Sequence, residues 1–274
     1  RDHFEVDLVS AAGVSDRGGQ TVRHNVNEDF FAVETADVGG ERWTLAAVAD
    51  GVSSQGHSEE ASQAAAEAAV AVLHEEADRV ANGARPDPEG TAKKALEAAH
   101  RAVRELISEK YADSAVPPAT TLVLTLATPT QLITLSRGDS PAFWIPHDGG
   151  PAIELTAPDP AIAELAESLG MTVHALRHSW LASNLNDYLG DIELSDLHPR
   201  SFQLPGSGFV ALFSDGAVNI YHEDQSNADT PEQRIADTLR QKLADSSGNL
   251  LGASRSFVQH AIDNGEHDNV TALL

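Results

Sequence analysis

The 274-residue chain contains no cysteine. A disulfide framework, a thiol nucleophile and a cysteine zinc site are all excluded. The lack of disulfides is compatible with a cytoplasmic protein. Positive charge is also scarce, with 18 lysines and arginines against 42 acids and a formal net charge of −24. Such a balance argues against nucleic acid or an anionic membrane as a partner. It suits a soluble surface, and it also suits a protein that collects divalent cations. No run approaches the ~20 apolar residues of a membrane span. The early stretch FEVDLVSAAG is interrupted by charge and has no basic flank, so it does not read as a signal peptide. The chain begins at Arg1, which fits a piece of a longer protein.

The remainder is an ordinary globular composition, 41% hydrophobic and 22% charged, long enough to bury a substantial core. FEVDLVSAAG alternates as one half-buried strand. Glu28–Thr35 and Trp43–Ala49 read as two more strands, joined by a turn at Gly39-Gly40. An alanine-rich helix follows from Ser58, with Glu59 and Glu60 in its first turn. A glycine and two prolines between Asn82 and Pro88 break it, and a second helix runs from about Glu89 to Lys110. Ala119–Ala127, Gln131–Leu135 and Ala142–Ile145 read as three successive antiparallel strands. Residues 158–188 form a polar, helical excursion broken at Gly170. Phe209–Phe213 is a buried strand, two helices span about 231–245 and 250–264, and Asn269–Leu274 closes the chain as a strand. Helices thus come in pairs and do not alternate singly with strands. That pattern argues against a Rossmann or barrel fold and for an α+β sandwich, two antiparallel sheets covered by helix pairs.

Aspartates recur where strands meet turns. Asp50-Gly51 follows WTLAAVA, Asp215-Gly216 follows FVALF, Gly138-Asp139 follows a strand, Asp268 opens the last strand and Asp29 opens another. One Asp-Gly pair alone is most simply a turn. The set is what points to chemistry: carboxylates at strand ends project into a cleft from a rigid backbone, and the glycines permit close approach. Oxygen-rich sites of this kind suit Mg²⁺ or Mn²⁺, and clustered carboxylates repel one another unless a cation compensates them. Arg23, just before Asn27-Glu28-Asp29, has the planar guanidinium that grips a phosphate. His174 and His178 stand four apart at a zinc-compatible spacing, but in a polar segment without the intervening glutamate of a zinc protease.

Six segments in order carry a resemblance: SDRGGQTVRHNVNED, VADGVSSQGHSEEAS, PATTLVL, LSRGDSPAF, LFSDGAV and HDNVTALL. They resemble the type 2C (PPM) metal-dependent Ser/Thr protein phosphatases in a bacterial form. The resemblance covers nearly the whole chain and implies one catalytic domain over 1–274, with a flap at about 158–188. It implies a four-layer α-β-β-α sandwich and two Mn²⁺ or Mg²⁺ ions, with room for a third. By the same resemblance Asp50 bridges the ions, and the Gly51 carbonyl binds the first. Asp215 and Asp268 bind the second, Glu28 and Asp29 act on or through metal-bound waters, and Asp139 serves a third metal. Arg23 holds the substrate phosphate, and a bridging hydroxide attacks phosphorus directly. Phosphoproteins made by a Ser/Thr kinase are the implied partners.

The chain departs from the family in places. Arg23 lies one residue further from Asn27-Glu28-Asp29 than is usual in bacterial members. Val52-Ser53-Ser54-Gln55 replaces Met-Gly-Gly-His, although His57 is close by. Gly138-Asp139-Ser140-Pro141 replaces Gly-Asp-Ser-Arg, LTAPDP replaces Leu-Thr-x-Asp-His, and Asn219 stands where some members place an aspartate. These changes keep two other readings open: a phosphatase-like regulatory or binding module with little turnover, and a phosphatase of small phosphorylated metabolites.

Overall fold

The computed structural model describes residues 3–7, 11–18, 26–156, 160–171, 176, 188–190, 194, 197–203, 206–223 and 229–274. Two antiparallel sheets face each other. The first holds β1 (His3–Asp7), β2 (Ala12–Asp16), β7 (Ala142–Pro146), β8 (Ile153–Glu154), β10 (Gly208–Phe213) and β11 (Val270–Leu273), in the order β1-β2-β11-β10-β7-β8. The second holds β3 (Phe30–Val38), β4 (Glu41–Ala49), β5 (Leu122–Ala127), β6 (Leu132–Arg137) and β9 (Arg200–Phe202), in that order.

Helices α1 (Ser58–Ala81) and α2 (Pro88–Lys110) cover the second sheet. The alanines make this cover close. Ala61, Ala65 and Ala69 repeat every four residues on α1, one stripe of a helix, and all three are fully buried. They pack with Leu45 and Ala47 of β4 and with Leu124 and Leu126 of β5. A shorter helix, α3 (Pro160–Leu169), belongs to the excursion, and α4 (Asn219–Glu223) follows β10. Helices α5 (Pro231–Asp245) and α6 (Leu250–Asp263) pack on each other, and α6 lies on β2 and β11 of the first sheet. Phe257 of α6 stacks on Phe213 of β10 at 5.0 Å between ring centres. The fold is therefore the expected α-β-β-α sandwich.

Three details differ from the sequence expectation. FEVDLVSAAG is not one strand: its ends belong to two strands, with His3–Asp7 pairing antiparallel with Ala12–Asp16. A single alternating pattern hid the reversal because both strands keep the same period. The third of the supposed successive strands leaves its neighbours. β5 pairs with β6, but β7 pairs with β10 and β8 in the other sheet. Gly138, with φ of 99°, turns the chain between the sheets there. The short elements β8, β9 and α4 carried no periodic signal long enough to read.

Excursion residues 160–171, 176 and 188 are described, with Gly170 at φ 64° ending α3. The rest of 158–188, including His174 and His178, lies outside the described residues. Where the excursion returns, Leu189 exchanges two backbone hydrogen bonds with Thr120, at 2.7 and 3.0 Å.

Candidate metal centre

Antiparallel pairing gathers the aspartates. Neighbouring strands run in opposite directions, so the end of one lies beside the start of the next. Phe30 of β3 pairs with Ala49 of β4, which sets Asp29 beside Asp50. Leu122 of β5 pairs with Arg137 of β6, which sets Thr121 beside the Gly138-Asp139 turn. In the opposing sheet Phe213 of β10 pairs with Ala272 of β11, so the segments holding Asp215 and Asp268 share one edge. One end of the sandwich thus carries Asp29, Asp50 and Asp139 from one sheet and Asp215 and Asp268 from the other.

The glycines matter through what they let in. A Cβ on Gly51 would stand 2.8 Å from the Glu28 carbonyl oxygen and 2.8 Å from Ser58 Cβ. A Cβ on Gly216 would stand 2.2 Å from the Asn269 carbonyl oxygen. Each Asp-Gly step therefore admits the backbone that carries another acid, Glu28-Asp29 at Gly51 and Asp268-Asn269 at Gly216. Glu28 is fixed through its main chain: its carbonyl accepts from the Gly51 amide at 3.2 Å and from Ser62 Oγ, and its amide donates to Asn269 Oδ1 at 2.8 Å.

Hydroxyl and amide side chains hold the acids. The Asp50 amide donates to Thr121 Oγ1 at 3.1 Å, and Thr120 Oγ1 donates to the Asp50 carbonyl at 2.9 Å. Thr121 Oγ1 in turn lies 2.8 Å from Ser140 Oγ, beside Asp139. Thr271 Oγ1 donates to Asp29 Oδ2 at 2.7 Å and lies 2.8 Å from Ser15 Oγ, which accepts from Asn27 Nδ2. The Asn27 carbonyl oxygen Oδ1 also takes the Asp29 amide at 3.1 Å. Asn269 Nδ2 donates to the Arg17 carbonyl at 3.0 Å. Reasoning from acids and glycines missed Thr120, Thr121, Ser140, Thr271, Asn27 and Asn269. Their signal was available: each is a short polar residue next to a strand end or inside an otherwise apolar strand.

The cluster is electrostatically costly. Burial raises the Asp29 carboxyl from 3.8 to about 7, against hydrogen bonds from Ser214 and Thr271 that favour its charged form. Burial is also the main cause that lifts Asp50 well above the usual range, followed by the negative charges of Asp29, Asp215, Asp268 and Asp139. Asp215 is lifted by burial and then by Asp139, Asp268 and Asp29. Asp29 thus raises the proton affinity of Asp50, as charges buried together must.

Among the described residues no three acidic or histidine side chains stand as a ready-made cage for an ion. The donor set nevertheless fits a hard divalent cation. Every side chain in it is an oxygen donor, and Asp29 Oδ1 is buried with no hydrogen-bond partner. A cation would satisfy that oxygen and offset the repulsion among the carboxylates. Arg23 lies outside the described residues.

A family model, protein phosphatase 2C, matches residues 19–249. The chain belongs to that family and is a protein serine/threonine phosphatase. It is similar to three solved bacterial structures. The serine/threonine phosphatase PstP of Mycobacterium tuberculosis is 21% identical, with 96% of each chain covered and a TM-score of 0.66. The catalytic domain of PstP has also been solved in complex with two manganese ions, at 20% identity, 99% and 97% coverage and a TM-score of 0.64. Stp1 of Staphylococcus aureus is 18% identical, with 98% and 96% covered and a TM-score of 0.71. No curated protein matches the chain. No helix among the described residues is long and apolar enough to cross a membrane.

Proposed function

We propose that this chain removes phosphate from phosphoserine and phosphothreonine in proteins, using two Mn²⁺ or Mg²⁺ ions held by Asp50, Asp215 and Asp268. The observation that carries the reading is the gathering of Asp29, Asp50, Asp139, Asp215 and Asp268 at one end of the sandwich. The protein solved with two manganese ions shares this fold, which supports the metal assignment. Such ions, when bound, supply an activated water and offset charge on the phosphoryl oxygens. Asp50, from one sheet, and Asp215, from the other, reach across the cleft as one ligand pair. The Gly51 carbonyl, with no side chain to shield it, is a further ligand. Glu28 and Asp29 orient water beside the acids, and Asp139, next to Asp215, serves a third, looser ion. Arg23 is the proposed grip on the substrate phosphate. The substrates are products of a Ser/Thr kinase, and the working compartment is the cytoplasm. The 158–188 excursion acts as a flap beside the centre of one catalytic domain spanning 1–274.

The test is Mn²⁺-dependent hydrolysis of p-nitrophenyl phosphate, of a phosphothreonine peptide and of small phosphorylated metabolites. Turnover is expected on the first two, with the peptide favoured over the metabolites. Folded protein that turns over nothing at saturating Mn²⁺ would leave only the regulatory or binding role.

A further inference from the structure

The inward-facing side chains of β4 and β5 are valine near the carboxylates and only alanine or threonine further away. Alternation along a strand aims every second residue at the opposing sheet. On β4 that series runs Val48, Ala46, Thr44, and on β5 it runs Val123, Thr125, Ala127. Near the acids Val48 and Val123 meet the first sheet in a closed inter-sheet core. Sheets packed ~10 Å apart need larger side chains than the alanines Ala46 and Ala127 to fill the space between them. At the far end the space stays open as a cavity of about 470 Å³, with Trp144 and Leu212 on its other wall. A Cβ on Gly208 would stand 2.6 Å from the Trp144 ring, so glycine there lets the indole lie against the strand.

Size and chemistry define the occupant. The volume falls in the ~300–1,000 Å³ range of small-molecule sites. None of the lining residues is charged; Thr44, Thr125 and Ser207 bring hydroxyls, and Trp144 brings an indole N–H that is buried with no partner. Water filling the space at ~30 Å³ each would number about sixteen, far more than these four polar groups can hold in place. Apolar cavities of this kind take apolar guests.

Four strands join the cavity to the carboxylate end. β4, β5, β10 and β11 all line it. β4 then runs on to Asp50, β10 to Asp215, β11 starts after Asp268, and β5 starts just after the Thr121 that holds Asp50. From Leu212 to Asp215 is three residues, about 10 Å of strand at ~3.3 Å each. We propose that this cavity binds a neutral, largely apolar small molecule of ring or branched-chain character, and that its occupancy changes turnover at the carboxylate centre. A guest wedged between the sheets moves Asp50, on one sheet, relative to Asp215, on the other. Only the effect on turnover rests on the phosphatase reading; the binding does not.

The probe is N-phenyl-1-naphthylamine, a neutral fluorescent guest, titrated into Mn²⁺-loaded protein. Saturable binding of one molecule is expected, with kcat on p-nitrophenyl phosphate changed by about threefold or more and KM unchanged. Thr125→Leu, which narrows the cavity by roughly a tenth, should weaken probe binding several-fold. Thr125→Cys is nearly the same size and places the sole thiol of the chain in the cavity wall. Its reaction with pyrenyl maleimide should slow about tenfold when the probe is bound, whether or not the protein turns over substrate. Unchanged probe affinity in Thr125→Leu together with unprotected Thr125→Cys overturns the site. A protected thiol with unchanged kcat overturns the coupling to turnover.

Discussion

Thr271 donates its hydroxyl proton to Asp29 Oδ2 at 2.7 Å, and so joins the last strand of the chain to the acid that opens β3. The two residues are 242 positions apart and come from opposite sheets. The bond occupies one oxygen of the Asp29 carboxyl, and the other, Oδ1, is buried with no hydrogen-bond partner.

Thr271→Val keeps the shape and removes the donor. It leaves a buried acceptor unsatisfied, at a cost of about 1–3 kcal/mol. It also removes a bond that favours the charged form of Asp29, so the carboxyl should bind its proton more tightly. Urea unfolding should show the destabilisation without metal, and calorimetric titration at pH 7 should show weaker Mn²⁺ binding. Unchanged values in both would mean the hydroxyl does not support Asp29.

Gly216→Ala forces a Cβ to within 2.2 Å of the Asn269 carbonyl oxygen. Backbone, not a flexible side chain, must then give way. The expected cost is about 1–3 kcal/mol, and Asp268 should shift away from Asp215. Circular dichroism should show a folded chain with a lower melting temperature, and phosphatase assays should show an activity loss of about 100-fold.

Asp50→Asn should separate stability from function. It removes a buried acid whose charge is opposed by burial and by four other carboxylates. Without metal at pH 8 the variant should therefore melt above the parent. With Mn²⁺ it should lose both the metal-induced rise in melting temperature and, by about 100-fold or more, the activity. Unchanged activity would remove Asp50 from the site.

The metal-free protein should lose stability as pH rises, the reverse of the usual acidic behaviour. Asp29 titrates near 7 in the fold against 3.8 as the reference. The folded state thus binds more protons than the unfolded state between those values, and stability falls as pH climbs from about 4 through 7. Asp50 and Asp215, also raised, add to the slope in the same direction. Melting curves at pH 5 and pH 8 in chelator should differ in favour of pH 5, and saturating Mn²⁺ should flatten the difference at neutral pH and above.

Much of this was legible before any coordinates. Asp50 and Asp215 could be found because an apolar strand followed by Asp-Gly is a local signal. The α1 and α2 boundaries could be found because alanine content, proline and glycine act within a few residues. The switch of β7 into the other sheet was not legible, because β6 and β7 look like a hairpin when only spacing is read. The supporting threonines were legible only as short polar residues at strand ends, since nothing in ATTLVL says that Thr121 holds the Asp50 amide.

The sequence by itself determined most of the longer strands and helices, the five aspartates at strand ends and the absence of thiol chemistry, because each is set by local composition and spacing. Tertiary structure alone decided which acids meet. Antiparallel pairing put Asp29 beside Asp50 and Asp268 beside Asp215, and sheet-on-sheet packing brought the two pairs together. Their raised proton affinities follow from that packing, since burial and mutual repulsion exist only once the chain has brought the charges into one place.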